Sequence, residues 1–184
     1  TGLFDRQPKS RNGLLRTGPD SYILTHPDGT IEVYDHSDGV TTMERRVFLT
    51  SRTDPQGNTV ELEYDSGFRL VVLRDAAGLE TELFYDHSGN PLRITRVRDP
   101  FGREAHFDYG SGGRLVKITD PEGIESEFTY AEAGPNADFI DKLTTPYGDT
   151  HFSFGDMPDE LWGMDTTRWI EVIDPMGLKQ RIEY

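Results

Sequence analysis

One tetrapeptide recurs along this chain at a near-constant distance from a tyrosine. Asp54-Pro-Gln-Gly57 leads to Tyr64, Asp75-Ala-Ala-Gly78 to Tyr85, Asp99-Pro-Phe-Gly102 to Tyr109, Asp120-Pro-Glu-Gly123 to Tyr130 and Asp174-Pro-Met-Gly177 to Tyr184. In these five copies the tyrosine follows the glycine by seven residues. Two looser copies run from His26-Pro-Asp-Gly29 to Tyr34 and from Thr145-Pro-Tyr-Gly148 to Phe154. Successive glycines lie 28, 21, 24, 21, 25 and 29 residues apart. A self-similar period of this kind means that one supersecondary unit is being repeated.

The chemistry of the unit says which one. Asp accepts backbone N–H bonds at the first position of a type I turn, Pro pre-sets φ at the second, and Gly at the fourth takes φ > 0 to close a G1 bulge. The residues that follow alternate with period two. Val60, Leu62 and Tyr64 oppose Glu61 and Glu63; Ile124, Ser126, Phe128 and Tyr130 oppose Glu125 and Glu127; Leu178, Ile182 and Tyr184 oppose Lys179, Arg181 and Glu183. That is the pattern of a half-buried antiparallel strand. A second turn comes after the tyrosine, at Asp65-Ser-Gly67, Asp86-His-Ser-Gly89 or Gly110-Ser-Gly-Gly113, and a short return strand follows, such as Leu70–Leu73, Leu92–Val97 or Leu115–Ile118. Each repeat of about 21 residues is therefore expected to be a β-hairpin, and the chain an all-β antiparallel meander forming a curved open sheet.

The expected organisation is an N-terminal arm over 1–25 and hairpin repeats over 26–184, with glycine-marked turns at Gly29, Gly57, Gly78, Gly102, Gly123, Gly148 and Gly177. Two stretches break the rhythm, 131–142 and 155–168, and both read as loops on the rim of the sheet. Pro158-Asp-Glu-Leu-Trp162 in the second has the composition to start one helical turn.

Composition narrows the function. With 19 Lys+Arg against 33 Asp+Glu the net charge is −14 and no basic cluster exists, which excludes a nucleic-acid partner and disfavours an anionic membrane surface. The longest apolar runs are four residues, such as Leu70–Leu73, so no membrane span is expected. Cysteine is absent, which removes disulfides, thiolate metal sites and cysteine nucleophiles together. Hydrophobic content is 34%, yet there are 10 Phe, 8 Tyr and 2 Trp at regular intervals, which favours short strands over disorder. A chain of 184 residues is long enough to bury roughly two-thirds of its unfolded surface. It begins with Thr1 and is expected to be a piece of a longer protein.

No chemistry-bearing constellation emerges. His26, His36, His87, His106 and His151 lack metal-ligand spacing, and Asp86-His87-Ser88 has triad residue types but not the separate elements a triad needs. No G-x-S-x-G elbow, EF-hand or calcium nonapeptide is present. The chain is expected to be no enzyme and to need no metal or cofactor. Trp162 and Trp169, beside acidic residues, are the candidates for glycan contact, although the pattern favours Trp169 packing in the sheet at the start of the strand Trp169–Ile173 and Trp162 pinning the loop 155–168 to it. The glutamates Glu61, Glu63, Glu80, Glu82, Glu125 and Glu127 form one polar face, either solvated or lining a lumen.

With the repeat in view, the sequence resembles the RHS/YD-repeat family, whose pattern is approximately aromatic-Asp-x-x-Gly-x-Leu-x-x-Ile-x-Asp-Pro-x-Gly. Tyr85-Asp86, Gly89, Leu92 and Ile94 carry it, as do Tyr109, Gly112, Leu115, Ile118 and Asp120-Pro121-x-Gly123. The Tyr-Asp pair is intact at Tyr64-Asp65 and Tyr85-Asp86, but is Tyr-Gly at Tyr109 and Tyr-Ala at Tyr130. The resemblance covers residues 26–184. It implies an arc of a larger hollow β-shell that encloses a C-terminal toxin or other polypeptide cargo in secreted or cell-surface bacterial proteins. The partners it implies are neighbouring repeats and that cargo. An extracellular adhesion or carbohydrate-binding module is the alternative. Unpaired terminal strands are expected to allow self-association of a fragment.

Overall fold

The computed structural model describes residues 2–131, 138–158 and 166–183. These form two compact units, Thr1–Arg103 and Glu104–Tyr184. The first holds β1 (Gly2–Leu3), β2 (Gly13–Gly18), β3 (Ser21–Thr25), β4 (Ile31–Ser37), β5 (Val47–Thr53), β6 (Thr59–Tyr64), β7 (Leu70–Arg74), β8 (Glu80–Phe84) and β9 (Arg96–Arg98). The second holds β10 (Glu104–Tyr109), β11 (Leu115–Thr119), β12 (Glu125–Tyr130), β13 (Ile140–Thr145), β14 (Gly148–Pro158), β15 (Thr166–Ile173) and β16 (Lys179–Glu183). Within each unit every strand pairs antiparallel with its sequence neighbours, and the end strands do not pair with each other. Each is thus an open hairpin meander, and neither closes into a barrel.

The turns explain why the chain reverses where it does. At Asp54 the backbone N–H donates to the Asn58 carbonyl at 2.9 Å while Gly57 N–H donates to the Asp54 carbonyl at 3.0 Å. Asp54 Oδ1 accepts from Gln56 N–H at 2.9 Å and Asn58 N–H at 2.8 Å. The same four bonds recur at Asp75, Asp99, Asp120 and Asp174. Gly57, Gly78, Gly102, Gly123 and Gly177 have φ between +79° and +91°, the left-handed region that costs glycine least. The turn after the tyrosine has the same geometry. Gly113 closes one copy at φ +79°. At Asp65 the turn's own glycine, Gly67, is not the left-handed residue; Phe68 is, at φ +61°. Phe68 N–H, not that of Gly67, makes the closing bond to the Asp65 carbonyl.

Register assigns the faces. In the first unit Leu62 pairs with Leu73 and Leu73 with Thr81, while Glu61 pairs with Arg74 and Arg74 with Glu80. Because side chains alternate, Val60, Leu62, Tyr64, Leu73, Leu83 and Tyr85 share one face, and the glutamates share the other. In the second unit Phe107 pairs with Ile118 and Phe128 with Leu143, so Tyr109 and Tyr130 lie with them on one face.

The layer is single. Among the described residues no apolar side chain is fully buried, and the one buried residue is Thr30, 5% exposed. Accessible surface is 12921 Å², where a globule of 20.9 kDa exposes about 9,000 Å². The burial expected from chain length therefore fails. That scaling assumes two packed layers, and among the described residues nothing within either unit covers its sheet.

Three boundaries also differ from those expected. Residues 1–25 are not an arm but carry β1, β2 and β3, with Leu14 paired to Leu24 and Leu15 to Ile23. Gly13, Gly18 and Pro19 disguise these strands, although the glycines stand only at the ends of β2. The rim loops are narrower than 131–142 and 155–168. Ile140–Lys142 already belong to β13, Gly155–Pro158 to β14 and Thr166–Arg168 to β15. The helical turn considered at 158–162 falls largely on residues outside those described, and Pro158 itself ends β14. The return strand over Leu92–Val97 shrinks to Arg96–Arg98, and Leu92 is 71% exposed. Asn90-Pro91 makes a further turn there, and Pro91 has no N–H to offer a ladder.

Candidate functional site

The repeating tyrosines form a regular surface built from one interaction. Tyr64 Oη donates to the Leu49 carbonyl at 2.7 Å, Tyr85 Oη to that of Leu70 at 2.8 Å, and Tyr130 Oη to that of Leu115 at 2.6 Å. The acceptor is fifteen residues upstream each time. Burial pushes the Tyr64 and Tyr85 phenols above their ordinary value. Tyr64, Tyr109 and Tyr130 each sit at a register shift, where the partner strand carries one extra residue. A bulge at that point twists the hairpin end toward its neighbour.

A cation or a ring from sixteen residues upstream covers Tyr64, Tyr85 and Tyr130. The Arg69 guanidinium lies 4.8 Å above the Tyr85 ring and that of Arg114 lies 4.8 Å above Tyr130. At Tyr64 the equivalent position is Phe48, with ring centroids 5.4 Å apart. His36 stacks on Tyr64 at 5.3 Å and 11°, and Phe48 stacks on Phe68 at 5.6 Å and 8°. This four-ring cluster holds Phe68 in its left-handed conformation.

The opposite face is laced by charge. Arg74 reaches Glu61 at 3.0 Å, Glu63 at 2.8 Å and Glu80 at 2.7 Å, which raises the Arg74 pKa further above its ordinary value, Glu80 contributing most. Arg98 reaches Glu82 at 3.1 Å. In the second unit Lys117 holds Glu125 at 3.0 Å, and Glu127 stands opposite it in register. The glutamate stripe is therefore a cross-strand ion-pair lattice.

Near the first turn, Glu32 Oε2 accepts from Tyr34 Oη at 2.8 Å, and His26 Nε2 lies 3.3 Å from Glu32 Oε1. Burial, and then the bond to Glu32, push the Tyr34 phenol up to about 12. Among the described residues no three His, Asp or Glu side chains converge as a metal cluster. No helix among them is long and apolar enough to cross a membrane.

In the second unit an apolar groove of about 450 Å³ is lined by Phe128, Phe139, Leu143, Phe152, Ile170 and Val172. A more polar one of about 530 Å³ adjoins Phe154, Gly155, Asp156, Arg168 and Trp169. Trp169 pairs with Gly155 across the strands, and the Arg181 guanidinium lies 4.3 Å from its ring centre. It is a sheet-packing residue with both neighbours in contact. Trp162 and Tyr184 lie outside the described residues.

What sequence reasoning missed is the role of Arg69 and Arg114. Their signal was present: Arg69, Arg93 and Arg114 all stand sixteen residues before a repeat tyrosine.

Comparison with known families agrees with this geometry. No curated protein matches the chain. The RHS Repeat family matches residues 48–82 and 85–125. Those stretches hold the turns at Asp54, Asp75, Asp99 and Asp120 and the tyrosines Tyr64, Tyr85 and Tyr109. Residues 48–82 and 85–125 are therefore RHS repeats, and the hairpins, turns and tyrosines outside them follow the same arrangement.

Proposed function

We propose that this chain is a non-catalytic wall segment of an RHS/YD-repeat shell that encloses a polypeptide cargo, such as a C-terminal toxin, for secretion or delivery from a bacterium. The observation that carries the reading is the uncovered single layer, with no buried apolar side chain among the described residues and two chemically different faces. A wall needs two such sides. The aliphatic and tyrosine face suits contact with a polypeptide that has not folded, while the ion-paired face suits water.

The direct test uses the native polypeptide that carries these repeats. Limited proteolysis with mass spectrometry should leave a protected internal segment, and that segment should become digestible once the wall is loosened by Gly102→Val with Gly123→Val. Digestion of every segment at the same rate in the unaltered protein would sink the reading.

On this reading, neighbouring repeats join through strand edges, and the outer edge of β16 is one such seam. A fragment would pair there with a second copy. Light scattering over a concentration series should show association of the isolated chain, abolished by Ile182→Pro, which removes a ladder donor.

The groove beside Trp169 favours a second reading, an adhesion or carbohydrate-binding module. Its aromatic lining and the Asp156–Arg168 pair at 3.7 Å are groups that sugars engage. A glycan-array signal lost on Trp169→Ala would support it.

A further inference from the structure

Among the repeat turns of the first unit that open with an aspartate, one is capped differently. Asp54, Asp65, Asp75 and Asp99 each hold their turn with a carboxylate oxygen that accepts two backbone N–H bonds. The segment 86–93 opens with the same Tyr-Asp pair, at Tyr85-Asp86, but Asp86 does not cap it. The Asp86 side chain is 69% exposed and 3.6 Å from Arg96, and its N–H goes to Thr95 Oγ1 at 3.0 Å. His87 takes over. Its Nδ1 accepts from Gly89 N–H and from Asn90 N–H, both at 3.0 Å.

An imidazole nitrogen accepts only while it carries no proton, so Nδ1 is bare in the capped turn and the ring's one proton is on Nε2, where it faces the Arg93 Nη1 donor at 3.2 Å without bonding to it. Protonating Nδ1 would turn the acceptor into a donor aimed at two donors. Both N–H groups would lose their partner, and the new charge would sit beside Arg93, whose Nη1 is 3.2 Å from Nε2. The other charged groups on the segment are the Asp86–Arg96 pair and Arg69, which donates to the Pro91 carbonyl at 2.7 Å. Arg69 also lies over Tyr85, so this turn is tied to the tyrosine ladder.

We propose that His87 makes the turn 86–93 an acid-sensitive joint of the first unit. It opens as the ring gains a proton, while the carboxylate-capped turns beside it stay closed. A proton on Nδ1 removes both bonds of this cap at once, whereas a carboxylate cap keeps its acceptor until stronger acid. The inference rests on this turn alone and is independent of any cargo.

The test is an NMR titration of the whole chain from about pH 8 to pH 5. The Gly89 and Asn90 amide signals should move with the same midpoint as the His87 ring. Their protection from hydrogen exchange should fall about tenfold in the protonated form, the loss expected for a hydrogen bond of ordinary strength. The Gly57, Gly78 and Gly102 amides should stay fixed. H87D restores a carboxylate acceptor, and its Gly89 and Asn90 amides should not move over that range. Amides that ignore the ring's titration in the unaltered protein, or that titrate unchanged in H87D, would overturn the proposal.

Discussion

Tyr130 Oη donates to the carbonyl of Leu115 at 2.6 Å, across fifteen residues of chain. The bond runs from the end of β12 to the start of the return strand β11, at the open end of the hairpin beyond its last register pair, Lys117 with Glu127. It supplies an extra cross-strand bond at the point where a hairpin would otherwise fray. Tyr85 to Leu70 and Tyr64 to Leu49 repeat it, so the motif is a rivet and the register of each hairpin is fixed by it.

Removing the rivet should cost what one hydrogen bond costs. Tyr130→Phe keeps the ring under Arg114 and is expected to destabilise the second unit by about 0.5–1.5 kcal/mol. Tyr130→Ala, which also loses the ring, should cost more. Urea unfolding followed by circular dichroism separates the two. Equal losses would show that the hydroxyl contributes nothing.

The two kinds of left-handed residue should respond oppositely to substitution. Gly102 sits at φ +80° with no atom near a built Cβ, so Gly102→Val is strained by backbone alone, by about 1–3 kcal/mol. Phe68 already bears such strain at φ +61°. Phe68→Gly releases it while losing a stack of about 0.5–1.5 kcal/mol, and the net change should be small. Phe68→Ala loses the stack and keeps the unfavourable φ, so it should be the worse of the pair. Thermal midpoints of the three variants rank them.

How much of this was legible in the sequence depended on whether a feature was local. Asp54-Pro-Gln-Gly57 encodes its turn in four residues, and alternation over Val60–Tyr64 encodes a strand and its faces. The hidden features depend on partners. Gly13–Gly18 is a strand because Ser21–Thr25 pairs with it, not because of its own pattern. Phe68 adopts φ > 0 because Phe48 and His36 hold its ring, and a glycine one residue earlier was the natural local choice. The ion-pair lattice on Arg74 needed the register of β6, β7 and β8 together. Chain length misled about burial because it carries no information on how many layers form.

The carboxylate caps make the fold acid-labile in a stated direction. The bond from Asn58 holds the Asp54 carboxyl below its ordinary value, and the Arg69 side chain does the same for Asp65. At Asp99 burial pushes upward, but the bonds from Arg103 and Phe101 outweigh it and the pKa is again lowered. A lowered folded pKa means that the native state binds fewer protons. The stabilisation is then fully present above the unfolded value near 3.8 and is lost as pH falls through the lowered folded values. The contribution of these caps should therefore hold on a plateau down to that pH and decline below it. Asp54→Asn should lower the plateau and flatten part of the decline. Chemical denaturation at a series of pH values reads both effects, and an unchanged acid limb in Asp54→Asn would contradict the role given to that cap.

The last prediction concerns Gly155 and Trp169, which face each other across β14 and β15. A Cβ built on Gly155 would lie 2.8 Å from Trp169 Cζ2 and 2.9 Å from Cε2 and Nε1. The indole thus lies over bare backbone, the arrangement by which an aromatic compensates for glycine in a strand. Gly155→Ala must displace the ring, which also carries Arg181 at 4.3 Å, and overpacking of this kind costs about 1–3 kcal/mol. Once the ring is removed by Trp169→Ala the same methyl has room, and alanine is the better strand residue. The two substitutions should be strongly non-additive, with the double variant more stable than the sum of the single losses allows. Additive losses in a denaturation double-mutant cycle would mean that the indole does not occupy the space over Gly155 in solution. The ring would then be free for the glycan contact considered for Trp169.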